Sequence, residues 1–98
     1  IIQQIDRQID LEEIAESKGL KYEALISEIE NICYGGTKLN LDYYIDQLLD
    51  DDRQDDITDY FMNAESDSIE AAMEELGEYY SEDEVRLMRI KFMSEHAH

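Results

Sequence analysis

Residues 10–33 read DLEEIAESKGLKYEALISEIENIC, and the spacing in this stretch predicts two helices meeting at a tight turn. Asp10 is placed to cap the first helix, Ile14 and Ala15 face inward, and Gly19 supplies the left-handed position that ends it. The second helix is expected over residues 22–33. Leu25, Ile26, Ile29 and Ile32 recur there at intervals of three and four and form one apolar stripe. A small Ala15 lets the two helices cross closely, and Gly19 permits the sharp turn. That combination is the pattern of a helix-turn-helix.

Working outward, Gly35 and Gly36 stop the second helix. Arg7, Gln8 and Ile9 on one side and residues 37–40 on the other read as two short extended segments. If they pair, the motif becomes a winged variant with a small β-ribbon, although ladders this short are marginal. Asn40 is expected to cap a helix through Leu49, with Tyr44, Ile45, Leu48 and Leu49 as its apolar face. Asp50, Asp51 and Asp52 end that helix and cap the next, over residues 53–63, where Ile57, Tyr60 and Phe61 face inward. Asp67 with Glu70, and Ser81 with Glu84, have the spacing of capping boxes, and Gly77 ends the helix between them. The last helix, to about residue 95, carries Val85, Met88 and Phe92 in one stripe, widened by Leu87, Ile90 and Met93. A helix so broadly apolar is expected at the centre of the fold. The reading is all-α: one small helical domain over residues 1–98, with a helix-turn-helix part over about 7–41 and an acidic helical bundle over about 42–95.

The chain has 98 residues and a formal charge of −18. Residues 41–60 carry net −7 and residues 64–84 net −9, whereas residues 85–98 carry net +2 from Arg86, Arg89 and Lys91 against Glu95. This acidity opposes independent, non-specific DNA binding, because a phosphate backbone is repelled at long range. Crowded carboxylates are also expected to have raised pKa values, with salt or mild acid helping the fold. No apolar run approaches a membrane span or the core of a signal peptide, so no membrane partner is expected. The single cysteine, Cys33, excludes an internal disulfide and fits a reducing, cytoplasmic setting.

No catalytic pattern emerges. Gly35, Gly36, Thr37 and Lys38 have the residue types of a phosphate loop without its spacing. An EF-hand loop counted from Asp50 would need Gly at its sixth place and Glu at its twelfth, where Asp55 and Phe61 stand. Cys33 lacks a neighbouring His and reads as a core thiol, and His96 and His98 sit at the chain end. No catalytic, cofactor-binding or metal residue is therefore assigned. Lys18, Lys21 and Lys38 near the helix-turn-helix, with Arg86 and Arg89 on the last helix, are the candidate nucleic-acid or partner contacts. Two facts weigh against DNA contact. The second helix presents Lys21, Glu23, Ser27, Glu28, Glu30 and Asn31, a surface more acidic than basic. Arg86 and Arg89 also have nearby carboxylates over residues 64–84 to pair with.

The segments IDLEEIAESKGL (9–20), YGGTKLNLDYYID (34–46), DDITDYF (55–61), SDSIEAAMEELG (66–77) and EVRLMRIKFMSE (84–95), in that order, resemble the extreme C-terminal domain of bacterial RecQ-type ATP-dependent DNA helicases. The resemblance implies a helix-turn-helix-like accessory module of a parent that unwinds DNA in repair and recombination with ATP and magnesium. The family's ATP-binding loop, DEAH-type box and zinc-binding cysteines have no counterpart here, so no catalytic residue carries over. With an N-terminal Ile1, it leads us to expect a piece of a longer chain. The implied partners are the helicase core of the same chain, DNA through that parent, and a repair protein, in a cytoplasmic, nucleoid-associated setting. Direct DNA contact by the helix-turn-helix and a stand-alone acidic DNA mimic are the competing readings.

Overall fold

The computed structural model describes residues 1–96, and all its regular structure is helical: α1 (Ile2–Asp6), α2 (Leu11–Lys18), α3 (Tyr22–Tyr34), α4 (Asp42–Leu48), α5 (Asp51–Asn63), α6 (Ile69–Leu76) and α7 (Glu82–His96). α7 packs against α3, α4, α5 and α6, the central place its wide apolar surface predicts. Val85, Leu87, Met88 and Ile90 are buried along it, and Phe92 stacks on Phe61 of α5 with ring centroids 5.8 Å apart. The capping box at its start forms in both directions. The Glu84 N–H donates to Ser81 Oγ at 3.2 Å, and the Ser81 N–H donates to Glu84 Oε1 at 2.8 Å.

The helix-turn-helix forms, with Asp10 at the cap position of α2 but without the side-chain cap hydrogen bond expected of it. Gly19, at φ +67°, closes α2; its N–H donates to the Glu16 carbonyl while the Leu20 N–H donates to that of Ala15. Ala15 is buried where α2 meets α3, and Leu25, Ile26 and Ile29 are fully buried on α3.

Four expectations are corrected. No β-ribbon forms among the described residues, because both its segments close helices instead. α1, unassigned from sequence, ends at a left-handed Gln8 (φ +61°), with the Gln8 N–H donating to Ile5 and the Ile9 N–H to Gln4. Gly36 (φ +100°) closes α3 in the same way, committing the Thr37 N–H to the Ile32 carbonyl. Backbone donors used in such closures are not free for a ladder. Second, α6 is capped by Ser68, whose Oγ accepts from the Ala71 N–H, and not by Asp67. Third, Leu48 is exposed, and Leu41 takes its place in the core beside Tyr44, Ile45 and Leu49. Fourth, Asn40 accepts from the Asp42 N–H at 3.0 Å but stands one residue before the cap position, which Leu41 occupies.

Candidate functional site

The second helix of the motif, α3, is the element a helix-turn-helix would present to a partner. Its outward residues are Glu23, Ala24, Ser27, Glu28, Asn31 and Tyr34, all exposed. Glu30, expected on this face, is instead buried at 9% exposure against α7. One carboxylate oxygen accepts from Arg86 and the other from Arg89. Arg86 also donates to Ser27 Oγ at 2.9 Å, and Arg89 donates to the Asp67 carbonyl at 3.0 Å. One carboxylate between two guanidiniums thus ties α3 to α7. Both arginines were expected to find their counter-charges within residues 64–84, yet their shared anion lies 56 and 59 residues away in sequence.

The remaining candidate cations stay exposed but apart. Lys18 ends α2, Lys21 immediately precedes α3, and Lys38 lies in the segment after it. Lys21 and Lys38 stand beyond opposite ends of α3, a helix about 20 Å long at the usual rise, whereas Lys18 borders the same hollow as Ile32 near the end of α3. Lys91 donates to Gln54 Oε1 at 2.9 Å and stands 3.3 Å from Asp42. Through that contact and the Gln54 bonds to Asp46 and the Leu49 carbonyl, α4, α5 and α7 are joined.

A second polar chain holds the motif itself. Tyr44 of α4 donates to Glu12 of α2, and its hydroxyl lies 3.0 Å from that of Tyr22 on α3. Burial, reinforced by these contacts, pushes the Tyr44 phenol far above its ordinary range. Cys33 is half-buried, and burial raises its thiol pKa, which suits a core thiol better than a nucleophile. The side chain of His96, and His98 altogether, lie outside the described residues. Among the described residues, no three His, Cys, Asp or Glu side chains group to hold a metal ion, and no helix is long and apolar enough to cross a membrane.

At the start of α7 the Asp83 carboxyl is pushed up, first by burial and then by Glu23 across the α3–α7 seam, with Arg86 opposing. The folded state therefore holds this proton more tightly than the unfolded chain. The resulting stabilisation is full below the ordinary Asp value of 3.8 and is lost as pH rises through the raised value. Relative to the parent chain, Asp83→Asn should gain stability between acid and neutral pH. Urea titrations of both proteins at the two pH values check it; parallel pH profiles would contradict it.

A search of curated proteins returns no match. Residues 1–45, from α1 into α4, match the family model described as RecQ-1-like, helix-turn-helix domain.

Proposed function

We propose that this chain is a non-catalytic C-terminal accessory domain of a RecQ-type ATP-dependent DNA helicase, acting in repair and recombination by regulation or protein docking. ATP and magnesium belong to the parent's core in this reading, and the cytoplasm and nucleoid are its setting. The observation that carries it is the Glu30 clamp. It occupies Arg86 and Arg89 inside the fold and leaves α3 facing outward with Glu23 and Glu28. A helix serving to grip phosphates needs the opposite charge balance.

Such a domain, carrying net −18, would compete with DNA for the cationic surface of the helicase. Deleting it from the full-length helicase should tighten binding to forked DNA about tenfold at low salt, with the difference fading as salt screens it. Unchanged affinity and an unchanged salt slope would sink the regulatory reading. Exposed Lys18, Lys21 and Lys38 are what a direct DNA contact would use. NMR shift changes around Lys21 on titrating this chain with forked DNA would favour that alternative, and their absence the docking reading.

A further inference from the structure

α5 is divided along its length. Gln54, Ile57 and Phe61 are buried, whereas Asp52, Asp55, Asp56 and Asp59 are exposed, and Met62 continues their side at 58% exposure. Between α5 and α6 runs a groove of about 420 Å³ with Asp56, Asp59 and Asn63 along one wall, Glu75 on the other, and Tyr60 and Leu76 at its base. The turn after α6 closes one end. There the Tyr80 hydroxyl donates to Asp56 at 2.9 Å, and the Tyr79 N–H donates to the Leu76 carbonyl at 3.0 Å. Tyr79 itself stands 74% exposed. A strip of Tyr60, Ala64 and Leu76 with carboxylates on both sides forms a surface with a definite complement.

No cationic side chain among the described residues lines the groove. Arg86 and Arg89 are taken by Glu30, Lys91 by Gln54 and Asp42, and Arg53 lies beside Asp50. A second copy carries the same −18 and is repelled, as is any polyanion. A partner surface built to hold phosphates would match the carboxylates but not Tyr60, Ala64 and Leu76 between them. We propose that the α5–α6 groove docks a cationic amphipathic segment of a separate protein. Its lysines or arginines would meet Asp56, Asp59 and Glu75, and its aliphatic side chains would cover Tyr60, Ala64 and Leu76. The inference rests on the docking reading above and names the face and the chemistry of the partner.

The test uses two synthetic peptides of equal charge, one of lysine alone and one of lysine and leucine in helical amphipathic order, titrated into the whole chain and followed by amide NMR. Expected are shift changes centred on Asp59, Tyr60, Asn63 and Leu76, with the lysine–leucine peptide binding more tightly. The double variant Asp59→Asn, Glu75→Gln, both exposed on the groove walls, should weaken that binding roughly tenfold. A control with the same charge change, Glu16→Gln with Glu28→Gln on α2 and α3, should not. Equal binding of the two peptides, equal loss in variant and control, or shifts spread over every acidic helix would overturn the proposal. So would groove shifts on adding DNA, or on concentrating the chain alone, which would assign the groove to nucleic acid or to a second copy. The helicase deletion described above can fail while this groove still binds, so the two readings fall separately.

Discussion

Glu30→Ala should lower the unfolding free energy by about 3–5 kcal/mol, the loss typical of removing one partner from a buried ion pair. The Glu30 side chain is 11% exposed, and those of Arg86 and Arg89 are 14% and 12% exposed. Without the carboxylate, the two neighbouring guanidiniums of α7 are left together at the α3–α7 seam, with Ser27 Oγ and the Asp67 carbonyl still accepting from them. For a domain near 100 residues this corresponds to a melting temperature lower by roughly 15–25 °C, read directly by circular dichroism. Glu30→Gln, which keeps acceptor capacity but not the charge, should fall between the two. A cost below about 1 kcal/mol for Glu30→Ala would mean that the clamp is not closed in solution. Arg86 and Arg89 would then be available to a partner, and the charge argument against DNA contact would weaken.

The second large effect belongs to the motif's own core. Leu25 is fully buried on α3, and Leu25→Ala should cost about 2–5 kcal/mol through lost apolar burial and the cavity left behind. Its distribution matters as much as its size. The buried side chains run as one cluster from Ile5 in α1 to Ile90 in α7. A cavity at Leu25 should therefore lower the unfolding midpoint equally for amides in α3 and in α5, far from the substitution. Hydrogen exchange under rising urea checks this. Retention of α5 protection after α3 has opened would show two units rather than one.

How much of this was legible in the residues follows the range of the interactions involved. The helices from α2 onward were placed to within a few residues, because stripes at three- and four-residue spacing, Asp50, Ser81 with Glu84, and Gly19 all act within one or two turns. α1 was not read: five residues make a weak signal, and its place depends on Ile5 being covered by distant parts of the chain. The choice between Asp67 and Ser68 as cap was also invisible. Both residue types serve, and the chain's path past Arg89, whose guanidinium takes the Asp67 carbonyl, accompanies the selection of Ser68.

The candidate site divides along the same line. The charge of −18 and its concentration over residues 41–84 are properties of composition, and they already set the long-range field that a partner meets. Which charges remain available is a property of packing. Glu30, Arg86 and Arg89 look alike in sequence to the exposed ions around them, and nothing local distinguishes Glu30 from Glu28. Bringing α3 onto α7 buries Glu30 between the two largely covered arginines and leaves Glu28 in solvent. A buried charge is tolerated only with its counter-charge in place, and that pairing exists only once residues more than fifty positions apart have met.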